Sequence, residues 1–118
     1  MEDVKVLYRR ALDFFADSRL EEASRLLQKA LELDPKFADA YEALGIVCSR
    51  MDRLDEAIGC MDKLLEIDPD SVMAHTNLSV FYMKKGMKEK AEEEKAKATI
   101  ATFQKMAKEK DAQKKAGK

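Results

Sequence analysis

The sequence is short of the residues that folds use for chemistry or for covalent stapling. Its 118 residues include one histidine, two cysteines, two prolines and four glycines. With one histidine and no nucleophile elbow, Walker loop or glycine-rich phosphate loop, catalysis has little to stand on, and no enzyme is expected. One His and two Cys are too few for a zinc site built from one chain. No cofactor and no metal are implied. Cys48 and Cys60 also fall short of the disulfide framework of a small secreted fold, and they fit a reducing compartment. No run of about 18 apolar residues occurs, so no membrane span is expected. The opening stretch "MEDVKVLYRRALDFF" puts acids before bases and has no apolar core of signal-peptide length. A cytoplasmic protein is expected. The net charge of −1 gives no electrostatic reason to expect nucleic acid.

What the chain does have is 46% apolar and 38% charged residues. With so little Gly and Pro, that balance suits long solvated helices around one modest core. It also has a repeat. "LELDP" at 31–35 returns as "LEIDP" at 65–69, a shift of 34 positions. At that shift Ala23, Ala57 and Ala91 share a column. So do Phe14, Cys48 and Tyr82, and Leu20, Leu54 and Lys88. Three units follow, about 4–37, 38–71 and 72–105. A period of this length marks a helix–turn–helix repeat.

Each unit reads as two helices. In "DAYEALGIVCSRM", Tyr41, Leu44, Val47 and Cys48 make one apolar face. In "LDEAIGCMDKLLEI", Leu54, Ala57, Met61, Leu64 and Leu65 make another. The spacing predicts helices near 3–17, 20–33, 37–50, 54–66, 71–84 and 88–110. The turn column holds Ser18, Asp52 and Gly86, of which glycine most readily takes positive φ. Small Ala23, Ala57 and Ala91 allow the paired helices to approach closely. Asp–Pro ends the second helix, because proline cannot continue it and disfavours α geometry just before itself.

The chain resembles the tetratricopeptide repeat over residues 4–105. The second unit supplies Tyr41, Leu44, Gly45, Ala57, Met61 and Pro69, with Cys48 where an aromatic is usual and Leu64 for the second Ala. The first supplies Leu7, Ala11, Phe14, Ala23, Leu27, Ala30 and Pro35, with Arg10 where Leu is usual. The third supplies His75, Leu78, Ser79, Tyr82, Ala91 and Ala98, with Lys95 for the large residue and Phe103 for Pro. The resemblance implies an all-α, right-handed α-solenoid of three helix pairs in residues 1–105. Residues 106–118 would then be the end of a capping helix and a Lys-rich flexible tail. With no further repeat read after the third unit, its last helix, loaded with Lys and Glu where its predecessors are apolar, is expected to be a solvating cap. Glu92 with Lys95 and Glu93 with Lys97 are expected surface pairs.

The resemblance also implies a concave groove, lined by first helices, that binds a peptide or helix. Its columns would be Lys5, Asp39 and Met73; Tyr8, Glu42 and Thr76; Leu12, Ile46 and Val80; Phe15, Ser49 and Met83; and Ala16, Arg50 and Lys84. The column Leu12, Ile46, Val80 is apolar where the family often places Asn. Family members that clamp chaperone C-terminal tails use two Lys, an Arg and two Asn. The matching positions are Tyr8, Leu12, Ala43, Met73 and Asn77, with Asn77 where the Arg belongs, so that clamp is not expected.

Other groups have plainer readings. His75 is a packing residue, Cys48 a buried thiol, and Glu21/Glu22 and Glu92/Glu93/Glu94 solvated helix faces. Ile100, Phe103, Met106 and Ala107 form a stripe on the last helix. The simpler expectation folds the stripe back onto the first helix of the third unit; the other places it against another chain. Residues 105–118 carry six Lys against one Glu and one Asp. A frayed end, or a weak hook for an acidic partner, would follow. Two classes of function remain. One is a non-catalytic protein–protein interaction module or adaptor whose apolar groove holds a protein or peptide partner. The other is a homo-oligomerising scaffold that self-associates through the groove or through Ile100, Phe103 and Met106. A monomer or weak homo-oligomer is expected.

Overall fold

In the computed structural model, residues 3–117 are described. They form six α-helices and, among those residues, no strand. The chain divides into two compact units, the first ending at Pro69 and the second starting at Asp70. Unit 1 holds α1 (Val4–Ala16), α2 (Leu20–Leu33), α3 (Ala38–Arg50) and α4 (Leu54–Ile67). Unit 2 holds α5 (Val72–Lys84) and α6 (Lys88–Ala116). Within unit 1, α1 packs on α2, α3 on α4, and α2 and α1 on α3; within unit 2, α5 packs on α6. Met1, Glu2 and Lys118, which entered the sequence reading at the two ends, lie outside the described residues.

The turns inside the pairs share one geometry. Ser18, Asp52 and Gly86 all have positive φ, at 61°, 60° and 79°. Each time the residue after them donates its N–H to the carbonyl five positions back: Arg19 to Phe14, Arg53 to Cys48 and Met87 to Tyr82. The positive-φ residue itself donates three positions back, to Phe15, Ser49 and Met83. This is the Schellman closure, and it satisfies carbonyls that a helix end leaves open. The residues after the left-handed position differ in what they reach: Arg53 pairs with Glu21 at 2.8 Å, whereas Arg19 packs back on the helix it has just left. The Arg19 guanidinium lies 4.8 Å from the Phe14 ring centroid. Only the glycine takes this conformation without strain. Ser18 and Asp52 hold it because the turn around them leaves no alternative.

Asp34 and Asp68 are extended before their prolines, at φ −137° and −133°, and end α2 and α4. Asp34 then turns the chain. Its side chain accepts from the Lys36 N–H at 3.2 Å, and its carbonyl accepts from the Phe37 N–H. Asp3 caps α1 and Ser71 caps α5 with side-chain oxygens on backbone N–H groups.

The core is the apolar side of the repeat pattern. Leu7, Ala11, Ala23, Leu27, Val47, Ala57 and Met61 are buried in unit 1, and Leu78, Phe81, Ala91 and Ala98 in unit 2. Each large member contributes roughly 1.5–3 kcal/mol by leaving water. Gly45 marks a close approach of α3 and α4. A Cβ there would stand 3.4 Å from the Ala57 carbonyl and would press on Met61 Cε.

The last helix differs from expectation in two ways. It continues to Ala116, past the expected end near 110. Its apolar stripe does not fold back: Ile100, Phe103 and Met106 are 56%, 66% and 57% exposed. The burial of α6 ends at Ala98, with Ala101 half-covered, and everything beyond is open.

Candidate functional site

The site is built on the first helices of unit 1. α1 and α3 turn one apolar side toward their own second helices. The adjacent residues face an open recess of about 150 Å³. Its floor is Ala11, Leu27 and Val47, and its walls are Tyr8, Leu12, Phe15, Ala43 and Ile46. Tyr8 is braced from outside by Phe37, with ring centroids 5.2 Å apart and a tilt of 55°. Phe15 is covered by the Arg50 guanidinium, 4.7 Å from its centroid. That contact is worth about 0.5–1 kcal/mol at an exposed site.

Asp39 and Glu42, one turn apart on α3, supply all the formal charge in the lining. Burial, and then the Asp39 charge, push the Glu42 carboxyl above the usual carboxylate range. Burial, with Asp39 and Glu42 behind it, likewise raises the Tyr8 phenol. The recess is therefore apolar inside and acidic at the Asp39–Glu42 lip, and the nearest guanidinium, that of Arg50, is stacked on the Phe15 wall.

Unit 2 carries a separate, shallower recess of about 480 Å³ between α5 and α6. Thr76, Ser79, Val80, Met83 and Lys84 line one side, and Glu92, Lys95 and Ala98 the other. It exists because Lys95 stands in the column where Leu27 and Met61 are fully buried. Val80 and Met83 are about half exposed as a result.

Of the residues singled out in the sequence, Tyr8, Leu12, Phe15, Glu42 and Ile46 come together in unit 1, and Val80, Met83 and Lys84 in unit 2. Arg50 stands over Phe15 and is not part of the lining. Asn77 is half-buried and outside the unit 2 recess. Ser49 is a correction: at 7% exposure it belongs to the packed side of α3 with Val47 and Cys48, too short to reach the surface.

Glu94 is another correction. Expected on a solvated face, its side chain is 13% exposed and its Oε2 lies 2.7 Å from His75 Nδ1. Lys97, expected opposite Glu93, sits 3.3 Å from Glu94. Sequence reasoning passed over Phe37 and Ala43 as supports of the recess. At the 34-residue shift Phe37 aligns with Asp3 and Ser71, and Ala43 with Arg9 and Asn77, so neither stands in a shared apolar column.

Cys48 is buried, as expected for a packing-column thiol, and its Sγ lies 3.8 Å from Glu56 Oε2. The neighbouring Cys48 thiol, with burial, pushes Cys60 above the ordinary thiol range. The neighbouring Cys60 thiol pulls Cys48 below it. No described helix is long and apolar enough to cross a membrane.

Paired helices closed by one repeated turn, with an open apolar face on the first helix of each pair, define a helical-repeat interaction fold. Tetratricopeptide-repeat family models match residues 14–75 and 60–93, and the chain belongs to that family. No curated protein matches the sequence. Among solved structures it is similar to a crystal structure of MamA, with a TM-score of 0.86 and 28% identity over 89% of this chain and 61% of that one. A second MamA crystal structure gives 0.84 and 28%, over 89% and 57%. MamA AMB-1 gives 0.81 and 25%, over 86% and 60%. The chain spans about three-fifths of the length of these MamA chains.

Proposed function

We propose that the chain is a non-catalytic protein–protein interaction module, and that the unit 1 recess seats an apolar side chain of a peptide or helix. The observation that carries this reading is the pair Leu12 and Ile46. Both hold the inward column of the repeat, yet Leu12 is 37% exposed and Ile46 only partly covered, on the two walls of one recess. Apolar residues left open at a packed helix junction are a reason to expect a partner. The acidic lip adds polarity: a ligand with a cation beside its apolar anchor is preferred over an acidic one. Family membership supports a protein partner in general terms.

Random-peptide phage panned on the wild-type chain supply defined ligands. Ile46→Lys keeps a long aliphatic stem that can lie along the wall with its ammonium in water. The variant should stay folded by circular dichroism and bind the selected peptides at least ~1 kcal/mol more weakly. A folded variant with unchanged affinity for every selected peptide overturns the reading.

A further inference from the structure

We infer that the recess of unit 1 receives the overhanging end of α6 from a second copy of this chain. The inference rests on reading the recess as a docking site and names the occupant. Past Ala98, α6 continues to Ala116, and Phe103, at 66% exposure, is the most open large apolar side chain described. Phe103 and Lys110 lie on one face of α6 with Met106, Ala107, Glu109 and Gln113, so Lys110 is the cation of that face and Glu109 sits beside it. Seven residues separate Phe103 from Lys110, roughly 10 Å along the axis.

The recess matches this face in size, polarity and charge. At about 150 Å³ it is on the scale of an apolar cavity that admits a benzene ring. Its lip offers Asp39 and Glu42. The overhang from 104 to 117 offers five lysines against two acids. With the Phe103 ring in the recess, Lys110 is the cation that reaches the acidic lip. There it offsets the burial and the Asp39 charge that hold the Glu42 carboxyl above the usual carboxylate range. Recess and key are different surfaces, so the contact is head-to-tail and leaves a free key and a free recess at the ends. One helix end on one recess is a small interface, below about 1,200 Å², so association is weak and concentration-dependent.

Charge reversal tests it on the full chain by sedimentation velocity. Wild type should gain mass as concentration rises toward about 1 mM, the range of a weak contact. A chain carrying Asp39→Lys with Glu42→Lys, and another carrying Lys110→Glu, should each associate at least ~10-fold more weakly, because like charges then face each other. Mixed in equal amounts they should recover the wild-type mass, because each key then meets an opposite lip. Phe103→Lys should stay monomeric alone and in every mixture with itself. Circular dichroism confirms that each variant is folded.

A wild type that stays monomeric at all concentrations overturns the inference, whether α6 is free or docked within its own chain. So does association that survives both reversals, or reversals whose mixture shows no recovery. If wild type is monomeric while the panned peptides still distinguish it from Ile46→Lys, the docking reading stands and only the second copy falls.

Discussion

Nδ1 of His75 lies 2.7 Å from Oε2 of Glu94, with both side chains 13% exposed, and this pair ties α5 to α6. In the first two units the same packing column holds Leu7 and Tyr41. A polar side chain there, mostly out of water, needs a partner, and Glu94 provides it from the facing helix.

Removing one member should therefore be worse than the geometry of a surface pair would suggest. Glu94→Ala is expected to destabilise the chain by about 1.5–3 kcal/mol, the range for a hydrogen bond to a charged group. His75→Ala made together with Glu94→Ala should cost less than the two singles added. Urea denaturation of the four proteins measures the coupling. Strict additivity would show that the pair contributes nothing.

The positive-φ column ranks three substitutions. Gly86→Ala should lose ~1–2 kcal/mol, the price of a Cβ in the left-handed region. Ser18→Gly should gain up to ~1 kcal/mol, since relief of strain exceeds the entropy that glycine adds to the unfolded chain. Asp52→Gly should gain less, because Asp tolerates this region better than Ser. Thermal melts check the order.

Ala57 is fully buried, and its carbonyl faces Gly45 at a close crossing of α3 and α4. Ala57→Leu forces extra methylenes into that crossing and should cost ~1–3 kcal/mol. An unchanged Tm would mean that the helices are not packed this closely.

Glu42 makes stability depend on pH with a definite sign. Its carboxyl titrates higher in the folded chain than in the unfolded one. Between those two values the folded state holds more protons, so stability falls as pH rises through the window. Glu42→Gln should thus raise Tm at pH 7, and the gain should vanish below the ordinary Glu value of about 4.3. A gain that persists at low pH would assign the effect to something other than charge.

The repeat made most of the fold legible in the sequence. A 34-residue period places the helices, the Asp–Pro stops and the small residues at crossings, because each is a local requirement repeated three times. The turn column was legible as a column, but φ at Ser18 and Asp52 was not. A side chain there is a compromise that only the closed turn enforces. Leu12 and Ile46 were readable as inward positions. The depth of the recess was not, since it depends on Phe37 and Ala43, which follow no three-fold pattern. The end of α6 misled for a similar reason. Ile100, Phe103 and Met106 have the spacing of a packed face, and spacing cannot tell whether a neighbouring helix is long enough to cover it. Glu94 was hidden among Glu92 and Glu93 because three adjacent carboxylates differ only in the direction the helix points them.

Entry of ligands into the unit 1 recess can be followed through the amide chemical shifts of the labelled chain. Titration with a panned peptide should move Tyr8, Leu12, Ala43 and Ile46 together, saturating along one binding curve. Shifts confined to residues outside that lining, with these four unmoved at saturation, would contradict the account.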